Sequence, residues 1–128
     1  MAVNYVLTQR GNPGNPSAPK KFYAQAKSSG ELTLRMLSRE IAEGSTTVSD
    51  TDVLAVLNDL TRLLRRHLEN GEIVRFGDFG SFQITVSSAG ADTEDKFNAS
   101  LIRKGKVTFR PGIDLRDMLN VLKYEKHK

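Results

Sequence analysis

Chemistry on a protein needs side chains of the right kind within reach of one another, and this sequence offers few. There is no cysteine, which removes disulfides, thiolate nucleophiles and cysteine-based zinc sites. His67 and His127 are the two imidazoles, too few for a histidine-rich metal site. Asp92, Glu94 and Asp95 cluster, but nothing around them marks a cleft. Asp78-Phe79-Gly80 spells the metal-binding triplet of protein kinases, yet no catalytic loop or glycine-rich phosphate loop accompanies it in 128 residues. No serine elbow or histidine-carboxylate metal motif occurs either. The expectation is a protein that is not an enzyme, with no cofactor, no metal and no small-molecule substrate. Binding through charge is what remains.

The charge is unevenly placed. Overall it is +4, but residues 1–30 hold four bases and no acid, and residues 103–128 hold eight bases against three acids. Between them, residues 31–102 hold seven bases against twelve acids, a balance of −5. Two basic ends around an acidic middle suit a face that binds a polyanion better than a uniformly basic coat does. No apolar run approaches the length of a membrane span, and apolar content is ordinary at 38%. A reduced, cytoplasmic, folded protein with no membrane partner is expected.

These residues must be positioned by elements whose periods can be read. Tyr5 to Arg10 and Lys21 to Ala26 have strand-like content, joined by a Pro/Gly-rich loop over residues 11–19. Residues 4–27 are therefore expected to be an antiparallel pair. Such a pair is marginal alone in water and should join a sheet edge or dock on the rest. From Thr33 the period turns helical, with Leu34, Leu37 and Ile41 on one stripe and Gly44 as a stop. A second helix opens at Ser49, its stripe running Val53, Leu57, Leu60, Leu64 and Leu68 to an Asn70-Gly71 end. Arg62, Arg65 and Arg66 lie towards that end, where cations suit the helix dipole; contact with DNA is the competing reading.

After Gly71 the chain is extended. Ile73 to Phe76 is followed by a strand in which Phe82, Ile84 and Val86 alternate with Gln83 and Thr85, as when one face is buried. Residues 87–100 are small and polar, a projecting connection, and Leu101 to Phe109 is extended again. A last helix carries Ile113, Leu115, Met118, Leu119 and Leu122, with Lys123, Lys126 and Lys128 around its end. The order expected is β-β-α-α-β-β-β-α. Arg75 to Phe82 is rich in Phe and Gly, as in RNA-recognition strands, but the element order does not match a four-stranded RNA-binding sheet with two crossover helices.

Two segments about 30 residues apart carry a stronger signal: Phe79-Gly80-Ser81-Phe82 after the helical hairpin, and Phe109-Arg110-Pro111-Gly112-Ile113-Asp114-Leu115 before the last helix. Together, and in this order, they resemble the HU/IHF family of bacterial histone-like DNA-binding proteins. There an F-G-[NS]-F strand follows a helical hairpin and a [FY]-[KR]-P-G-x-x-L segment follows the DNA-embracing arm. The resemblance covers residues 33–124. Residues 1–30 look like the extension of the longer HU-like branch, so the chain divides into a β extension over 1–30 and an HU-like DNA-binding domain over 31–128.

The resemblance implies an α+β, IHF-like fold: a two-helix base, a three-stranded antiparallel sheet with an arm, and a C-terminal helix, here with the N-terminal strand pair added. It implies an intertwined homodimer, with Phe79, Phe82 and Phe109, and Leu57, Leu60 and Leu64, in the core or at the dimer interface. It implies binding of double-stranded DNA with little sequence preference, and a nucleoid-associated location. Gly80 and Ser81 would make backbone contacts; Arg110 and Arg116 would supply saddle cations; Arg103, Lys104 and Lys106 would line the returning arm strand. Arg75 is a further candidate, and Lys20 and Lys21 would enlarge the basic face. The sequence departs from the pattern at Asp78 and Ile113, where Gly and Lys are usual, and residues 87–108 contain no Pro. Phe97 is the one large apolar group near the arm's apex and the candidate wedge between base steps. The alternative, from another class, is a dimeric scaffold of this fold that binds proteins and has little affinity for DNA.

Overall fold

The computed structural model describes residues 1–44 and 47–128. The chain forms two units, one of Met1–Thr33 with Leu119–Lys128, the other of Leu34–Met118.

In the first unit, strands β1 (Val3–Arg10) and β2 (Lys21–Lys27) pair antiparallel from Asn4 opposite Lys27 to Arg10 opposite Lys21. The loop between them is built from successive turns. The Asn12 side chain accepts from the Gly14 amide at 2.9 Å, and the Asn15 carbonyl accepts from the Ala18 amide at 3.0 Å. The pair joins a third strand, which comes from a segment that the sequence pattern does not mark as one. The last helix ends at Asn120 instead of running to Leu122, and Tyr124–Lys126 (β6) pairs parallel with β1. The Val3 amide donates to the Lys123 carbonyl and the His127 amide to the Tyr5 carbonyl, each at 2.8 Å. Three residues are too few to display an alternation, and their partner lies at the opposite end of the chain, so no local pattern announces the strand. Its physical sense is that two strands alone are marginal and a third relieves them.

The second unit holds a helical hairpin and a sheet. Helix α1 spans Leu34–Gly44 and packs on α2, Asp50–Glu69. Ser49 caps α2, its side chain accepting from the Asp52 amide at 3.2 Å, while Asp50 and Asp52 sit where the dipole favours anions. The other end closes as a Schellman turn. The Gly71 amide donates to Leu68 and the Glu72 amide to His67, with Gly71 at φ 79°, a conformation that costs glycine little. Arg62 and Arg65 are spent within the helix, on Asp59 at 3.2 Å and Glu69 at 3.1 Å.

The sheet that follows is antiparallel in the order β3 (Val74–Phe76), β4 (Gly80–Ser88), β5 (Ile102–Pro111). Helix α3 (Ile113–Asn120) follows β5. Burial in this unit is thin. Among the described residues Val53 is the one buried apolar side chain, at 9% exposed. Leu57, Leu64, Phe82 and Phe109 are half-buried, and Leu60 and Phe79 are exposed. Within one chain these residues line a surface rather than fill a core.

Candidate nucleic-acid interface

The two sequence motifs meet in space. Phe109 lies 4.8 Å from Phe82 and 5.9 Å from Phe79, ring centre to ring centre, and Phe76 closes edge-on to Phe82 at 5.5 Å. Gly80 is buried under this cluster, where an added Cβ would come within 2.5 Å of the Phe109 ring and 2.6 Å of the Arg110 carbonyl. Gly112 is tighter still: a Cβ there would stand 2.1 Å from the Asp78 carbonyl oxygen. Backbone bonds lock the joint, with the Gly112 amide donating to Phe79 at 2.8 Å and the Asp114 amide to Asp78 at 3.1 Å. Both glycines are needed for this close approach.

From that joint the pairing register sorts side chains onto two faces. Phe82 opposite Phe109 and Ile84 opposite Val107 lie on one face. The other face carries Arg75, Ser81 and Arg110 in a row across the three strands, then Gln83 with Thr108, Thr85 with Lys106, and Ser87 with Lys104. The Thr85 and Thr108 hydroxyls stand 3.2 Å apart on it. Every residue on this face is polar or cationic, and none is acidic. From Arg110 to Lys104 it runs about 20 Å at the strand rise of about 3.4 Å per residue. The cations were legible in the sequence. That Gln83, Thr85, Ser87 and Thr108 join them on one face depends on the register, for which alternation was the available signal.

Other expected site residues lie elsewhere. The register shifts between Ser87 and Ser88, so that Ser88 pairs with Ile102 and Arg103 stands at the irregularity, unpaired in the ladder. Such a bulge re-aims its side chain. Arg116 is exposed on α3. Lys20 and Lys21 belong to the first unit. Beyond β4 the connection forms two short turns, Glu94–Lys96 and Ala99–Leu101, and closes with the Ala89 amide on the Leu101 carbonyl at 2.8 Å. Phe97 ends the first turn, its amide donating to Glu94 at 3.1 Å, and its side chain is partly exposed. A hydrogen bond from the Thr93 side chain, and one from its own backbone amide, hold the Asp95 carboxyl below the usual range. Among the described residues no group of three or more His, Asp or Glu could hold a metal ion, and no helix is long and apolar enough to cross a membrane.

Comparison with known proteins follows the same lines. No curated protein sequence matches this one. A candidate bacterial DNA-binding protein from Bacteroides vulgatus is similar in structure, with a TM-score of 0.64 and 11% identity over 98% of this chain. The match takes in 49% of that protein, so this chain spans about half its length. The HU protein of an Anabaena HU–DNA cocrystal structure is similar with a TM-score of 0.55 and 17% identity, over 70% of this chain and 99% of that one. At such identities the likeness is one of fold, a mixed α+β arrangement shared with HU. The profile of the HU-HIG family, described as an HU domain fused to wHTH, Ig, or Glycine-rich motif, matches residues 1–126. With its helical hairpin and glycine-locked joint in place, and with that family match over nearly the whole length, the chain belongs to the HU-HIG family.

Proposed function

We propose that this protein binds double-stranded DNA as a homodimer, with little sequence preference, through the polar face of β3, β4 and β5. One observation carries the reading: Arg75, Arg110, Lys106 and Lys104 lie on a single face of hydroxyls and amides that contains no carboxylate. Such a face binds phosphates by charge and hydrogen bonds, contacts that carry no sequence information of their own. Ser81 sits between two arginines and serves as a phosphate contact; Gly80 serves the joint beneath. Arg103 and Arg116 flank the face. The apolar face behind supports the dimer. Leu64, Leu68, Phe82, Ile84 and Val107 line an open recess of about 620 Å³. A second copy of the chain, presenting the same apolar helix, fills it.

Fluorescence anisotropy with a labelled random-sequence duplex, titrated at several salt concentrations, tests the proposal. The expected result is micromolar or tighter binding with a steep linear fall of log K against log salt. Absence of binding even at low salt would remove it and point to protein partners instead.

A further inference from the structure

The net positive charge of this protein does not come from the unit with the HU-like face. Residues 34–118 carry twelve bases and thirteen acids, a balance of −1. Residues 1–33 and 119–128 carry seven bases and two acids, a balance of +5. The sheet of that smaller unit is moreover two-faced. By its register Tyr5, Leu7, Ala24, Ala26 and Phe22 share one face with Gln9 and Lys126, whereas Arg10, Lys21 and Lys27 share the other with Asn4, Val6, Thr8, Tyr23 and Gln25. The carboxylate on that second face is Glu125, on β6 beside Asn4.

We propose that the β1–β2 face bearing Arg10, Lys21 and Lys27 is a second DNA-contacting surface, which grips the phosphate backbone of a duplex independently of the β3–β4–β5 face. The inference rests on the reading of the protein as a DNA binder and adds a site to it. Four features support it. Strand β2 is exposed along its whole length, so its lysines are available. Among the described residues no ion pair engages Arg10, Lys21 or Lys27, so their charge is not already neutralised. From Lys21 to Lys27 the face runs about 20 Å at the strand rise, the axial length of about six base pairs. Finally, the Arg10 guanidinium sits over the Tyr23 ring, 5.6 Å from its centre. That contact orients the Arg10 guanidinium on the same face as the two lysines, where it is available to phosphates. Beside it, Arg10, Lys21, Tyr23, Pro13 and Pro19 border a recess of about 380 Å³.

The test uses the full chain and the same labelled duplex. In the triple variant Arg10→Gln, Lys21→Gln, Lys27→Gln, affinity at low salt should fall by at least about tenfold. The salt slope should fall by about 2–3, one for each phosphate that is no longer neutralised. A conservative Arg10→Lys, Lys21→Arg, Lys27→Arg variant should restore both. Adding the triple to charge reversals at Arg103, Lys104 and Lys106 should lower affinity further than either set alone. If the triple alters the far-UV circular dichroism, Lys21→Gln by itself decides, with an expected slope change of about 1. Wild-type binding with an unchanged slope in the variants overturns this inference and leaves the proposed function standing. A wild-type chain that does not bind DNA overturns both. A preference for the single strand over the duplex would show that the surface stacks bases, contrary to the proposal.

Discussion

At Gly112 the space for a side chain is already occupied by the Asp78 carbonyl, and at Gly80 by the Phe109 ring. Backbone cannot swing aside as a flexible side chain can, so Gly112→Ala should destabilise the fold by about 1–3 kcal/mol, the usual range for overpacking. Gly90 meets nothing within 4 Å, and Gly90→Ala should change stability by no more than about 0.5 kcal/mol. Urea denaturation of the two variants makes the comparison; equal midpoints would mean that the joint relaxes freely. These glycines were legible in the sequence only as members of two motifs. The reason for them is a contact between residues some 30 positions apart, which no local pattern contains. The same holds for Asp78: its carbonyl, rather than its carboxylate, does the work, accepting from the Asp114 amide. Any residue can supply that carbonyl, and so the departure from the usual glycine is tolerated at this position.

The elements divide by how local their causes are. Helix α2 follows from its apolar stripe, its Ser49 cap and its Asn70-Gly71 end, all of them neighbours in sequence. Ser49→Ala should therefore cost about 1 kcal/mol, read as a lowered urea midpoint with unchanged m-value. In the β4–β5 ribbon, strand β4 is legible from alternation, which separates its apolar and polar faces, and β5 is legible as an extended segment; the bulge at Ser87/Ser88 and the β6 strand are not, since each depends on pairing with distant chain. Within the ribbon, charge placement makes a further prediction. Lys104, Lys106 and Arg103 lie along the returning strand, and Asp92, Glu94 and Asp95 lie in the connection beyond it. If the ribbon follows DNA, charge reversal of the three bases should weaken binding for every sequence alike. Neutralising the acids as Asp92→Asn, Glu94→Gln and Asp95→Asn should tighten it. Because a hydrogen bond from the Thr93 side chain holds the Asp95 carboxyl below its usual range, the share of the gain that comes from Asp95→Asn should persist to lower pH than an unshifted aspartate would allow, read as affinity against pH. Unchanged affinity in both variants would place the ribbon's far end away from DNA.

For the molecule as a whole, the decisive quantity is the apolar surface one chain leaves in water. Helix α2 has Val56 at 65% and Leu63 at 43% exposed, and the recess beside it is lined by Leu64, Leu68, Phe82, Ile84 and Val107. Burying a side chain of this size is worth about 1.5–3 kcal/mol, so a chain that leaves a row of them wet forgoes a sum comparable with the whole stability of a small domain. The homodimer proposed above would recover it, because in an isologous interface the same stripe of each chain covers that of the other. A stability tied to concentration would follow from that proposal. Light scattering should give about twice the 14.2 kDa chain mass, and the melting temperature should rise as protein concentration rises, since the partner acts as a ligand for the folded chain. Leu60→Asp with Leu64→Asp places a carboxylate where that stripe must be dry, and should yield a monomer or an unfolded chain. It should also abolish DNA binding by the β3–β4–β5 face while leaving every cation in place. A variant that stays folded, monomeric and fully active in DNA binding would show that one chain suffices.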